Sequence, residues 1–215
     1  MLHLSGRAPP MRILDLGCGH GRYSGPLAEL GAEVVAMDAS RSLLRRASSQ
    51  LGNVGGRVLW VQGDMSALPF RGFFDIVLLK DAFGYFDKEG DDMPLLSSIN
   101  DVTASGGHVI LRNPNAASIR AAFKPHREER REGHLVSIHS RLDEAGLWLE
   151  EDLVITDDLG EHQYHRRQRL YTASELTELL ERSGYATVHH FADFEGEPFS
   201  DPGASHIVTV ARRAA

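Results

Sequence analysis

The stretch that most constrains this chain is ILDLGCGHGRYS, residues 13–24. Apolar Ile13 and Leu14 lead into Asp15, and Gly17, Gly19 and Gly21 follow on alternate positions. Such a run reads as a buried strand that turns sharply into a helix. Glycine in the turn tolerates left-handed torsions and lets the backbone come close to a ligand. A strand buried on both faces needs parallel neighbours and helices on either side.

The unit recurs. RILDLG (12–17), EVVAMD (33–38), RVLWVQGD (57–64) and FFDIVLLKD (73–81) read as strands, and GHVILRN (107–113) as a fifth. RYSGPLAELG (22–31), SRSLLRRASSQLG (40–52) and DDMPLLSSINDVTASGG (91–107) carry apolar residues at helical spacing, with Ser40 as an N-cap and Gly31 and Gly52 as stops. Alternation with short connections implies a mostly parallel, doubly wound sheet with right-handed crossovers.

After Asn113 the rhythm breaks. PNAASIRAAFKPHREERREGH (114–134) is polar, basic and in part helical by pattern. LVSIHSRL (135–142), GLWLEEDLVITD (146–157) and GEHQYHRRQRLY (160–171) read as antiparallel strands joined at DEAG and DDLG turns. The α/β pattern resumes in TASELTELLERSG (172–184), where Thr172 and Glu175 form a capping box, and closes in YATVHHFADF (185–194) and ASHIVTVARR (204–213). The 215 residues are expected to form one domain, 1–215, with an insertion at about 114–171.

Several classes of function are disfavoured. The net charge of −7 argues against a general nucleic-acid binder. Cys18 is the only cysteine, so neither a disulfide framework nor a cysteine metal cluster is expected. No apolar run of about 18 residues suggests a membrane span. The opening MLHLSGRAPPMR is too short and polar for a secretory signal, which leads to the expectation of a cytoplasmic protein.

The glycine turn suits a nucleotide, and three details narrow which. The dinucleotide fingerprint is G-x-G-x-x-G, but here Arg22 stands where its third glycine falls. Asp15 would repel a pyrophosphate and attract an amino group. Asp38 is placed to accept both ribose hydroxyls, and Asp64 in QGDMSALPF to accept from an adenine amino group. The acids together fit S-adenosylmethionine.

At these residues the chain resembles the class I S-adenosylmethionine-dependent methyltransferases of small-molecule type. ILDLGCGHGR, VVAMDAS, VQGDMSALPF, FDIVLLKDAFGYF and SGGHVILRN fall in that family's order, and ASHIVTVARR is similar to its reversed closing strand. The resemblance implies a Rossmann-like, mostly parallel seven-stranded sheet with a reversed last strand, plus an antiparallel β insertion after strand 5. It also implies that Asp15, Gly17, Cys18, Gly19, Gly21, Asp38, Ala39, Asp64, Met65 and the carbonyl of Lys80 hold the cofactor. Asp81 to Phe83, then Tyr85, would line the methyl-transfer pocket. S-adenosylhomocysteine would be the product, with no metal required.

Substrate contacts are sought in the insertion, which leaves the carboxyl edge of the sheet. In EHQYHRRQRLY, His162, Tyr164, Arg166 and Gln168 share one strand face, and His165, Arg167, Arg169 and Tyr171 the other. The second face is the one expected to look into the pocket. His165 and Tyr171 are then the candidate catalytic groups, and Arg169 an anchor for a carboxylate or phosphate. Phe83, Tyr85 and His162 are further candidate substrate contacts. The expected activity is methylation of nitrogen or oxygen on a small molecule, as in natural-product chemistry. Two alternatives stay open: a peptide or protein acceptor, and a module that binds S-adenosylmethionine without turnover. Only about a dozen residues precede the first strand, so three arrangements stay open: the insertion closes the site alone, a second copy in a homodimer helps, or the cofactor stays unusually exposed.

Overall fold

The computed structural model describes residues 1–52, 54, 56–71, 73–86, 92–131, 134–157 and 160–214. Strands β1 (Arg12–Leu16), β2 (Glu33–Asp38), β3 (Val58–Gln62), β4 (Phe74–Lys80) and β5 (Thr103–Pro114) pair in parallel. β10 (Tyr185–Phe191) and β11 (His206–Arg213) complete a sheet of order β3-β2-β1-β4-β5-β11-β10, in which β11 runs antiparallel to both neighbours.

Helices α1 (Ser24–Glu29), α2 (Arg41–Leu51), α3 (Asp92–Val102) and α5 (Ala173–Arg182) lie along this sheet. Ser40 caps α2 through Leu43 N, and Thr172 and Glu175 cap α5 reciprocally. β4 has no polar alternation because both its faces are covered. Val77 and Leu79 pack with Leu96 and Ile99 of α3 and Leu176 and Leu180 of α5. Ile76 and Leu78 pack on the opposite side, with Leu27 and Ala28 of α1. Each Val, Leu or Ile side chain so buried contributes roughly 1.5–3 kcal/mol.

Two boundaries differ from the sequence reading. β5 begins at Thr103 and carries Gly106 and Gly107 as an irregularity, so Phe74 pairs with Thr103 but Ile76 with His108. β-branched Thr103 favours the strand, and Gly106 at φ 66° absorbs the extra length. Within 114–134, expected as helical in part, the helical part is α4 (Ala116–Ala121), and HREERR is strand β6 (His126–Arg131), which the sequence reading did not set apart. Arg127 pairs with Ile138 and Glu129 with Val136, so strand pairing overrides the helical preference of Arg and Glu. Its charges also suit an edge strand.

β6, β7 (His134–Leu142), β8 (Trp148–Asp157) and β9 (Gly160–Arg169) form a separate antiparallel sheet within the insertion. Asp143 in the DEAG turn accepts from Leu147 N and Trp148 N (2.6 and 2.9 Å). In DDLG, Asp158 and Leu159 lie outside the described residues, as does Asp91 at the expected start of α3. β9 is tied to the loop after β4: Arg169 N donates to Gly84 O (2.7 Å) and Gln168 Nε2 to Phe83 O (3.0 Å). Leu2–Ser5 form a 3-10 turn, and the Met1 amino group donates to Phe194 O (2.8 Å). No helix among the described residues is long and apolar enough to cross a membrane.

Candidate functional site

The parallel strands end at one edge of the sheet, where α/β folds gather their ligands. Gly17 N and Cys18 N both donate to Met37 O (2.8 and 3.1 Å), which ties the glycine turn to the end of β2. Gly17 has φ 73°, and a methyl on its Cα would stand 2.6 Å from Ala82 Cβ. No other residue fits there without moving the loop after β4. Gly21 serves packing instead, since a methyl there would stand 2.5 Å from Trp60 Cη2 of β3. Around Gly19 an added methyl would meet nothing within 4 Å. A cleft of about 1190 Å³ opens from Asp15, Gly17, Cys18 and Gly19 and continues beneath the insertion sheet.

Asp15 is 3% exposed and accepts from Ser24 Oγ at 2.6 Å. Burial pushes its pKa up to about 6 against that hydrogen bond, and the charge of Asp38 adds to the rise. A carboxylate so poorly compensated is suited to a cationic ligand. Asp38 receives Gly19 N on Oδ2 and Ser40 N on Oδ1, both at 2.8 Å, and each oxygen keeps a lone pair. Asp64 is exposed, and the hydrogen bond from Ser66 N holds its pKa down. Asp38, Ala39, Asp64 and Met65 sit at the ends of β2 and β3, beyond the lining of the cleft. Burial pushes the Cys18 thiol up, and the charges of Asp15 and Asp38 push it further, so it stays protonated. The donor set suits an adenosyl cofactor with an ammonium: buried anion, open backbone at Gly19, and acids at the ends of β2 and β3.

Beyond β4 the charges change sign. Lys80 Nζ pairs with Asp81 Oδ2 at 2.5 Å, and Arg112 Nη1 donates to both Asp81 oxygens at 2.6 and 2.7 Å. Asp81 holds φ 54°, which is uncommon for a residue with a side chain and recurs at functional sites. His206, at the start of β11, also lines the cleft. Burial lowers its pKa, and the Arg112 charge lowers it further.

The far wall is the insertion sheet, and the face it presents is the one not expected from sequence. Arg166 and Gln168 of β9 line the cleft with Glu151 and Ile155 of β8 and Val136 and Ser140 of β7. The Glu151 side chain is 1% exposed. Its carboxylate accepts from Arg166 Nε (2.6 Å) and Nη2, from Ser140 Oγ (3.0 Å), and pairs with Arg127 Nη2 (2.8 Å). Burial alone would raise its pKa, but the Arg166 and Arg127 guanidiniums bring it below the usual carboxylate range.

The proposed contacts on the opposite face are placed elsewhere. His165 is more than half exposed and pairs with Asp152 at 2.8 Å. Arg169 is buried; Nη2 donates to Glu175 Oε1 (2.9 Å) and Nη1 to Leu170 O. The Tyr171 hydroxyl donates to Asp92 Oδ2, its ring lies 5.4 Å from that of Phe83, and burial raises its pKa. Phe83 is fully buried, so its carbonyl rather than its ring serves the loop. The physical reason is register: Arg169 N pairs with Gly84 O, which turns Gln168 and Arg166 inward and the odd-numbered face of β9 outward. Tyr85 does line the cleft, whereas His162, on the Arg166 face, does not. Among the described residues no group of three or more metal-ligating side chains is assembled.

Sequence reasoning missed Glu151, Arg127, Arg166, Arg112 and His206. One signal was present: Leu149, Glu151, Leu153 and Ile155 make an apolar stripe along β8 interrupted by a single acid. A lone acid on a buried stripe requires a cation across the sheet.

Residues 13–107 match the family model described as a methyltransferase domain. The chain is 26% identical to the cypemycin N-terminal methyltransferase of Streptomyces sp over 205 residues, covering 94% of this chain and 83% of that protein. The CcbJ methyltransferase from Streptomyces caelestis superposes with a TM-score of 0.83 at 23% identity, covering 100% of this chain and 88% of that one. S-adenosylmethionine-bound CalS10 from Micromonospora echinaspora, an amino pentose methyltransferase involved in calicheamicin biosynthesis, gives 0.70 at 19% identity, with 99% and 89% covered. The two superpositions concern the fold. The strand order with its reversed last strand, the glycine turn beside a buried acid and the match over residues 13–107 agree: the chain has the fold of the class I S-adenosylmethionine-dependent methyltransferases and is similar over that stretch to a methyltransferase domain.

Proposed function

We propose that this protein transfers a methyl group from S-adenosylmethionine to a nitrogen or oxygen of a small molecule made in natural-product biosynthesis. The observation that carries this reading is the single cleft that joins the Asp15–Gly19 turn to the insertion wall. A donor at the turn and an acceptor under the insertion would share one space.

The cofactor supplies an activated methyl on a sulfonium, so the protein mainly binds and orients. Asp15 and the carbonyl of Lys80 would hold the methionine ammonium, with Gly17, Cys18 and Gly19 against the methionine and ribose. Asp38 with Ala39 would hold the ribose, and Asp64 with Met65 the adenine. His206, kept neutral near pH 7 by burial and cationic neighbours, is suited to take a proton from a hydroxyl or ammonium acceptor. Tyr85 would border the acceptor.

A peptide amino terminus is a second reading, favoured by the likeness to the cypemycin N-terminal methyltransferase. Incubation with S-adenosylmethionine and a panel of small amines, hydroxy compounds and short peptides, followed by mass spectrometry, tests both. Gain of one methyl on a small acceptor supports the first reading, and on peptides alone the second. Tight S-adenosylhomocysteine binding with no methylated product would favour a non-catalytic binding module. Saturable binding of a nicotinamide dinucleotide in place of S-adenosylhomocysteine would refute the family of readings altogether.

A further inference from the structure

The charge lining the cleft is opposite to that of the chain. The protein carries a net −7, yet among the described residues seven Lys and Arg side chains border the cleft against three acids. Two arrangements account for much of this. At the cofactor end, Lys80 and Arg112 share Asp81. On the insertion wall, Arg127 and Arg166 share Glu151. Each has two cations on one carboxylate, and so one positive charge in excess.

A methionine carboxylate would account for one excess charge at the cofactor end. It does not account for the second, which stands on a different sheet. A purely structural partner for buried Glu151 would need only one guanidinium, and Arg166 already meets it through Nε and Nη2. Arg127 is a third exposed and reaches the same carboxylate from β6. Val136, Leu149 and Ile155 border this part of the cleft, so an anion entering it would be partly shielded from water. Guanidinium forks match the planar oxygens of a carboxylate and the oxygens of a phosphate.

We infer that Arg127 and Arg166, clamped on Glu151, form an oxyanion subsite that anchors the methyl acceptor by a carboxylate or phosphate group. This rests on the methyltransferase reading, and it moves the expected anchor from Arg169 to the other face of β9.

The test titrates the protein, saturated with S-adenosylhomocysteine, with benzoate in one arm and inorganic phosphate in the other, by calorimetry. The arm that binds more tightly names the oxyanion. Arg127→Gln leaves the Glu151–Arg166 pair intact, so the fold is kept while the excess charge is lost. It is expected to weaken anion binding by about tenfold or more, with S-adenosylhomocysteine affinity unchanged. Arg166→Lys, which keeps the charge but loses the fork, is expected to weaken it less. Arg141→Gln, on the outer face, is the control and is expected to bind as wild type. The inference is overturned if Arg127→Gln binds both anions as wild type does, or if saturation with S-adenosylhomocysteine abolishes binding, which would put the anion at the cofactor end. The titrations are repeated without S-adenosylhomocysteine. Failure of that ligand to bind counts against the methyltransferase reading, whereas its binding without an anion site counts against the subsite alone.

Discussion

Asp15 offers the sharpest quantitative test. Its carboxyl has an ordinary pKa of 3.8 and is pushed up to about 6 in the fold. For an acid raised in this way, the favourable contribution to folding is complete below the unfolded pKa and is lost as pH rises through about 6. At pH 7.5 the ionised Asp15 therefore costs the ligand-free protein roughly 3 kcal/mol relative to an unperturbed carboxyl, at about 1.4 kcal/mol per unit. Asp15→Asn removes the charge and keeps an acceptor for Ser24 Oγ, but its amide must also be desolvated. The expected net effect is a stabilisation of about 1–2 kcal/mol at pH 7.5, vanishing near pH 4. Cofactor affinity should move the other way. A bound ammonium pulls the Asp15 pKa down, so binding releases a proton, and affinity for S-adenosylhomocysteine should fall by up to about tenfold per pH unit below pH 6. Urea unfolding at pH 4 and 7.5 measures the first effect, and calorimetry at pH 5 and 7.5 the second. The reasoning fails if Asp15→Asn destabilises the ligand-free protein at pH 7.5, or if it leaves cofactor affinity and its pH dependence untouched.

Other perturbations separate packing from binding. Gly17→Ala combines a left-handed backbone with a clash against Ala82, and should cost about 2–4 kcal/mol in denaturant unfolding. Gly19→Ala meets no neighbour, so its stability loss should stay near 1 kcal/mol while S-adenosylhomocysteine affinity drops in a calorimetric titration. Arg169→Ala should lower stability by about 1–3 kcal/mol, because it strips partners from buried carbonyls and from Glu175; the stability loss in a melt should exceed any change in cofactor affinity. His165→Ala, at an exposed ion pair, should leave both the melting temperature and the rate on any acceptor found unchanged. A large rate loss there would restore His165 as a catalytic group.

Much of the α/β frame was legible because its signals are local. The β4 run FFDIVLLKD is apolar without alternation only if both faces are covered, and Thr172 with Glu175 marks a helix start without help from afar. The acids Asp15 and Asp38 could be placed at the sheet edge because Asp15 stands next to the end of β1 and Asp38 ends β2, and parallel strands deliver their ends to one edge. The start of β5 was misjudged because Gly106 and Gly107 read as a helix stop but act as an irregularity within the strand. HREERR was not read as a strand because its partner, Val136 and Ile138 on β7, decides its form.

The sequence by itself determined the order of strands and helices in the α/β frame and the glycine turn beside Asp15. Hydrophobic periodicity and turn chemistry act over a few residues and need no partner. Only the tertiary structure decided which face of the insertion looks into the cleft. Alternation states that His165 and Arg166 point opposite ways but not which way is inward. That choice was made by Arg169 N pairing with Gly84 O and Gln168 reaching Phe83 O, contacts between segments about 85 residues apart. The same docking buried Glu151 between Arg127 and Arg166, and so gave the insertion side of the cleft its charge.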